Sequence, residues 1–259
     1  PPFPRQGIIA ARWTPLDRDG HLLRPALANH LAFLRRTGVH AVLALGSTGE
    51  FVRLTKAQRM SILEAIVEIA APLGLPVLAN ISHLDPKVLA ELGRHARSLG
   101  LPGVSVMPPH FYPASPADML AHFLVAADAA QLPVMLYNFP DLTCNKIGLE
   151  TIAAFADRAP MAAIKQSGSE FSYHHPLVEL GRAKGFVVFS GADTRIAEVL
   201  ALGGVGIIGG YANWVPDLKL AVYRICAEGA PGDLAAAEDR LRQVSAIVER
   251  LNFTLNMAA

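Results

Sequence analysis

Eight short apolar runs punctuate this chain, at residues 7–13, 40–46, 76–81, 103–108, 133–138, 161–167, 186–191 and 205–210, and each is too brief to be a helix. They are almost continuously apolar instead of alternating, the pattern of parallel strands covered on both faces. Between them lie longer segments with helical periodicity. Residues 55–70 open with a Thr-x-x-Gln capping box, Thr55 to Gln58, and repeat apolar residues at helical spacing. Asp85-Pro86 and Ser115-Pro116 each set a capping oxygen before a proline at the first helical position, which predicts two further helix starts. Strand and helix alternating eight times, with no low-complexity linker, predict an α/β fold of one (β/α)8 TIM barrel over residues 1–228. Residues 229–259 are then a short helical extension, with a helix over 234–251 packed on the barrel wall.

Composition narrows the partners. Hydrophobic residues make up 52% of the 259 and charged residues 17%, enough for a large interior and for buried contacts between subunits, so a homo-oligomer, dimer or tetramer, is expected. The formal net charge is +1 with no basic cluster, which argues against nucleic acid or an anionic membrane as partner and for a small-molecule substrate. No stretch of eighteen apolar residues occurs, and residues 1–6 show no charged segment leading into an apolar one, so a soluble, cytoplasmic protein is expected. Cys144 and Cys226 form neither a disulfide framework nor a metal-ligand spacing and read as ordinary small apolar residues in a reducing compartment.

One side chain is out of place in this pattern. Lys165 lies inside the apolar run 161–167, whereas Lys56, Lys87, Lys146, Lys184 and Lys219 lie in polar or helical contexts from which their heads can reach water. Burial disfavours an ammonium, so a semi-buried lysine offers a neutral amine that attacks carbonyls. The plainer alternative is a strand-end lysine that snorkels or pairs with an acid. Active sites of barrels sit at the C-terminal ends of the strands, and Lys165 is near the end of the sixth. Polar residues ending other strands would ring the same mouth: 46–50, 108–113, 137–140 and 191–193. Ser47 and Thr48, between Gly46 and Gly49, supply hydroxyls and amides able to hold a carboxylate, or else mark an ordinary glycine turn. Tyr137 places a phenol one strand from Lys165, suited to proton transfer unless it is a core aromatic.

The Gly46-Ser-Thr-Gly-Glu50 turn with Leu54-Thr55 behind it, Tyr137-Asn-Phe-Pro140, Ile164-Lys-Gln-Ser-Gly168, Ser190-Gly-Ala-Asp193 and Gly206-Ile-Ile-Gly-Gly-Tyr-Ala-Asn213 resemble the dihydrodipicolinate synthase and N-acetylneuraminate lyase family, in its motif order from residue 7 to about 228. The resemblance implies Schiff-base chemistry on pyruvate or another 2-keto acid, with no metal or organic cofactor. By matching positions, Lys165 forms the imine, Tyr137 shuttles protons and Ser47 relays them. Thr48 with its backbone amide, in the turn that Gly49 closes, holds the keto-acid carboxylate. The backbone of Ile208 lies close to the imine, and Asp193 is on the substrate-facing rim. Two positions depart from the synthases. Leu142 stands where they carry an arginine that grips the aldehyde's carboxylate, and Phe111 stands where they donate a tyrosine across a dimer interface, with Tyr112 adjacent but out of register. These departures resemble the lyase and sugar-acid aldolase branch and favour aldol cleavage or condensation, for example of a 2-keto-3-deoxy sugar acid. Dihydrodipicolinate synthase acting on pyruvate and aspartate semialdehyde, a family dehydratase, and a catalytically silent keto-acid-binding barrel are the alternatives. The helical C-terminal domain of the family is shortened here.

Two further patterns point elsewhere. Gly204, Gly206 and Gly209 match a dinucleotide-binding fingerprint, but they run into an apolar strand instead of following one, which argues against NAD. The same glycines suit a phosphate cradle after the eighth strand, the basis for a rival isomerase or synthase of phosphorylated metabolites, although no arginine or lysine is adjacent. The nine histidines, including the His174-His175 pair, show no metal-spaced motif and read as surface or capping residues, with His110 a candidate for the mouth.

Overall fold

A computed structural model describes residues 2–250. Eight parallel strands close a barrel in chain order: β1 (Gly7–Ala11), β2 (Ala41–Ala44), β3 (Val77–Asn80), β4 (Val104–Val106), β5 (Val134–Asn138), β6 (Met161–Gln166), β7 (Val187–Ser190) and β8 (Gly206–Gly209). All eight expected strands are present, trimmed at their ends where the runs bend into loops. Around them lie α1 (Arg24–Thr37), α2 (Lys56–Ala70), α3 (Pro86–Ser98), α4 (Pro116–Ala130), the short α5 (Pro140–Thr143), α6 (Leu149–Ala156), α7 (His174–Lys184), α8 (Ile196–Ala201) and α9 (Pro216–Glu228). The three expected helix starts form as read: Thr55 and Gln58 make a reciprocal capping box, Asp85 accepts from the backbone N–H of Lys87, and Ser115 accepts from that of Asp118.

Side-chain alternation divides the apolar residues between two layers. Ile9, Leu43, Leu78, Met135, Phe189 and Ile208 fill the barrel interior, and a larger cluster lies between the strands and helices. One irregularity sets the phase of β6. Val134 pairs with Met161 but Met135 pairs with Ala163, so Ala162 is an extra residue, and from there Tyr137 comes opposite Lys165. Closure of the barrel depends on glycine. A Cβ at Gly206 would lie 2.0 Å from the carbonyl oxygen of Gly7, so β8 approaches β1 closely only without one.

The C-terminal helix, α10 (Leu234–Arg250), packs along α9 with Leu241 fully buried; residues 251–259 of the expected extension, the expected helix end at 251 included, lie outside the described residues. Among the described residues no helix is long and apolar enough to cross a membrane.

Two expectations need correction. Both cysteines are exposed, Cys144 as the left-handed cap ending α5 and Cys226 on α9. The histidines are not confined to surface and caps. His174 is buried, and His30 and His122 are pushed down to about 4 by burial. Each of these three has a ring nitrogen on a backbone carbonyl, which a neutral imidazole can satisfy.

Candidate active site

Tyr137 and Lys165 are register partners on β5 and β6, and their alternation with Met135 and Ala163 turns both side chains into the barrel. Lys165 is 4% exposed and Tyr137 1%. The lysine Nζ donates to the Tyr137 Oη at 3.0 Å, and that oxygen lies 3.0 Å from the Ser47 Oγ. Hydroxyl, phenol and amine therefore form one continuous chain of exchangeable protons. Lys165 neither snorkels to water nor pairs with an acid among the described residues, which removes the plainer reading of this lysine.

The turn carrying Ser47, Thr48 and Gly49 is held under strain. Leu45 and Glu50, which bracket it, adopt φ of 57° and 56°, a left-handed conformation costing about 1–3 kcal/mol for such side chains. The Asn80 amide donates to the Leu45 carbonyl at 2.8 Å, and the Thr14 hydroxyl donates to the Gly49 carbonyl at 2.8 Å. At Gly49 a Cβ would meet the Arg12 carbonyl oxygen at 2.9 Å, so this glycine is required by close approach.

One residue away from Lys165, side chains face outward and fasten the two strands. The Asn138 amide donates to Gln166 Oε1 at 2.6 Å and accepts from the Ile147 N–H at 2.9 Å. Two residues on from Lys165, Ser167 faces the interior again. It is 6% exposed and its hydroxyl has no partner among the described residues. A Cβ on Gly191 would fall 2.0 Å from that Oγ and 3.2 Å from the Lys165 Cε, so Gly191 leaves both side chains their room. The sequence reading passed over Ser167, although counting by two from Lys165 marks it.

Asp193 follows β7 and reaches across to the end of β8. Its Oδ2 accepts from the Gly210 N–H at 3.2 Å, and its Oδ1 occupies the space a Cβ on Gly209 would need. Gly209 and Gly206 thus serve close approaches within the barrel, and the amide at Gly210 is taken by the chain's own carboxylate, which argues against the phosphate cradle. The partner of Asp193 Oδ1 is the ammonium of Lys219. Lys219 is fully buried, not solvent-reaching as its helical context suggested, because α9 turns that face toward the barrel end where Asp193 lies. Burial lowers the pKa of Lys219, Asp193 partly restores it, and Lys165 lowers it again. Ile208 lines the interior with no exposure.

Three candidate positions lie apart from the Ser47–Tyr137–Lys165 chain. Phe111 is 76% exposed with φ of 78°, its ring edge-on to the equally outlying Tyr112. Asn145 ties down this loop, donating to the carbonyls of Pro109 and Tyr112 and accepting from the Ala114 N–H. Leu142 projects from α5 largely exposed. His110 packs edge-on against Phe51 and lines a side cavity of about 150 Å³ with Arg59 and His83; burial, then those two neighbours, hold its pKa down. Asp17, Asp19 and His21 come within metal-ligand reach of one another on an exposed turn, where Asp17 already accepts two backbone N–H groups.

Among the described residues, the buried lysines and arginines are Arg12, Arg59, Lys165 and Lys219, and no buried acid accompanies them. All four lie toward one end. Arg12 directly follows β1, and Arg59 donates to the Asn80 and Ser82 carbonyls at the end of β3.

The chain is 28% identical to the 4-hydroxy-tetrahydrodipicolinate synthase of Methanococcoides burtonii, over 95% of this chain and 82% of that protein. It is 30% identical to an Escherichia coli K12 protein named "Probable 2-dehydro-3-deoxy-D-pentonate aldolase", over 93% and 81%. The fold superposes with a TM-score of 0.91 on the crystal structure of YagE, a prophage protein of the dihydrodipicolinic acid synthase family from E. coli K12 in complex with pyruvate, at 27% identity over 98% of this chain and 86% of that one. With residues 4–258 matching the Dihydrodipicolinate synthetase family, and with relatives named as both synthase and aldolase, the chain belongs to that family.

Proposed function

We propose that this protein is a lyase of the class I aldolase type, cleaving a 2-keto-3-deoxy sugar acid to pyruvate and an aldehyde, or running the reverse condensation. The observation that carries the reading is the Ser47–Tyr137–Lys165 hydrogen-bonded chain at the mouth of the barrel. The Lys165 amine adds to the C2 carbonyl, and loss of water gives an imine whose protonated form draws electrons from the neighbouring carbon. Tyr137 takes the proton of the C4 hydroxyl as the C3–C4 bond breaks. The aldehyde leaves, the enamine is protonated at C3, and water releases pyruvate and the free lysine. Ser47 passes protons to and from Tyr137. Thr48 with its backbone amide receives the carboxylate, and the Ser167 hydroxyl and the Ile208 backbone stand beside the imine. No metal or organic cofactor enters this scheme.

The named aldolase relative and Leu142 support a sugar acid. A leucine offers no fork for a second carboxylate, so the aldehyde half is uncharged. The named synthase relative supports a second reading, condensation of pyruvate with aspartate semialdehyde, against which Leu142 and Phe111 both weigh. The exposed Val52, Leu84, Phe111 and Tyr112 support a homo-oligomer.

Borohydride reduction in the presence of pyruvate, followed by peptide mass mapping, tests the reading. The expected result is an adduct on the peptide carrying Lys165; a folded protein that gives none with pyruvate or related 2-keto acids overturns it.

A further inference from the structure

Leu45, the strained residue that leads into the turn of Ser47 and Thr48, is held by side chains that have no part in the scheme above. Met107, Ser82, Asn80 and Leu45 form one directed run of hydrogen bonds. The Met107 N–H donates to the Ser82 Oγ at 2.7 Å, the Ser82 hydroxyl donates to the Asn80 Oδ1 at 2.6 Å, and the Asn80 Nδ2 donates to the Leu45 carbonyl at 2.8 Å. Each role is forced. A backbone N–H can only donate, so Ser82 accepts from Met107 and keeps its own proton for Asn80; a carbonyl can only accept, so the Asn80 amide turns its nitrogen to Leu45. Ser82 thereby fixes which way the amide faces. Arg59 fixes the backbone that carries both residues, its Nη1 and Nη2 donating to the Ser82 and Asn80 carbonyls at 2.8 Å each. Its guanidinium also lies 5.1 Å from the centre of the Phe51 ring, just past the turn. Asn80, Ser82 and Arg59 are each 1% exposed, so bulk water does not compete for these bonds. An apolar side chain at residue 80 would avoid burying an amide, but it could not hold Leu45 at a φ of 57°, a conformation that persists only where the surroundings enforce it.

We propose that Asn80 is a positioning residue: oriented by Ser82, it holds Leu45 in its left-handed conformation and so keeps Thr48 and its backbone amide shaped for the keto-acid carboxylate. The inference rests on the lyase reading of Lys165 and adds to it a source of pyruvate affinity. A Leu45 released from Asn80 relaxes to negative φ, which redirects the chain entering Gly46 and loosens the carboxylate donors while leaving Lys165 in its own strand.

The test is the initial rate of borohydride trapping against pyruvate concentration for wild type, Asn80→Ala, Ser82→Ala and the double variant, with thermal midpoints alongside. In Asn80→Ala the half-saturating pyruvate concentration rises about tenfold, as for loss of one hydrogen bond, while the maximal trapping rate falls by less. Ser82→Ala shifts it in the same direction and by a smaller factor. Because Ser82 acts through Asn80, the double variant is no worse in half-saturation than Asn80→Ala alone. A lowered thermal midpoint with unchanged half-saturation makes the network purely structural and overturns the proposal, as does a loss confined to the maximal rate. Losses in half-saturation that multiply in the double variant overturn it too, since Ser82 would then act by another route. If Asn80→Ala does not fold, Ser82→Ala serves: a raised half-saturating concentration is expected, and an unchanged one overturns the proposal. A wild type that forms no adduct sinks the underlying lyase reading and this one with it, whereas adducts formed with unaltered half-saturation sink this one alone.

Discussion

Tyr137 and Lys165 face each other across adjacent parallel strands, and the phenol oxygen is the lysine's hydrogen-bond partner at 3.0 Å. The lysine Nζ also lies 4.1 Å from the centre of the tyrosine ring, so the ring supports the amine as well as bonding to it. Lys165→Ala should abolish turnover with the fold intact, measured as loss of pyruvate release beside an unchanged circular dichroism spectrum. Tyr137→Phe keeps the ring and removes the oxygen. Its kcat should fall by about 10²–10⁴, the usual contribution of a positioned acid–base group, while imine trapping persists at a reduced rate. Near-normal turnover in either variant would remove that residue from the mechanism.

The closing seam of the barrel predicts a stability effect. Gly206→Ala places a methyl group against the Gly7 backbone, which cannot swing aside as a side chain can, at a φ of 152° that side chains rarely adopt. Destabilisation of about 3 kcal/mol or more is expected, seen in urea as a lower midpoint or as failure to fold. A midpoint within error of wild type would show that β1 and β8 can part without cost.

Acid should weaken this protein well above the carboxylate range. His30 and His122 are pushed from 6.5 down to about 4, first by burial and then by Arg12 and His110 respectively. Between those values the unfolded chain binds protons that the folded chain refuses, so stability falls as pH drops from about 6.5 to 4 and levels off below. The two together contribute on the order of a few kcal/mol. His40, His110 and His174, also lowered, act in the same direction. Thermal midpoints across that range measure the slope. His122→Gln, which retains a donor for the Met107 carbonyl, should make it shallower, and a parallel curve would exclude His122 as a source.

Arg12 predicts a gain. Its Nη1 donates to the Trp13 carbonyl at 2.6 Å, but Nε and Nη2 have no partner among the described residues, and burial pushes its pKa down to about 9. Arg12→Met should raise stability by about 1–3 kcal/mol, read from denaturant midpoints. A loss of that size would mean that the guanidinium is held by contacts worth more than its desolvation.

The barrel was legible because its evidence is periodic and local. Eight apolar runs, the Thr55–Gln58 box and the two capped prolines each need only a short window of sequence, and a lysine inside an apolar strand marks itself. What stayed hidden depends on where elements meet. Lys219 looks like any helical lysine until α9 is placed over Asp193, 26 residues away in the chain. His30, His122 and His174 find backbone carbonyls that no spacing rule indicates. The glycines at 206 and 209 mimic a dinucleotide fingerprint because close packing and phosphate binding both demand a missing side chain.

The gathering of Arg12, Arg59, Lys165 and Lys219 at one end of the barrel gives the molecule a polarity that its net charge of +1 conceals. Among the described residues Lys219 is offset by Asp193, but no acid pairs with Arg12, Arg59 or Lys165 in this poorly screened interior, so the field lines converge on the strand ends. An anion diffusing nearby is drawn toward that opening before it touches any binding group. Capture of substrate is then a property of charge segregation as much as of contacts, and its rate should decline with ionic strength. The stability that Arg12→Met gains would come with slower capture.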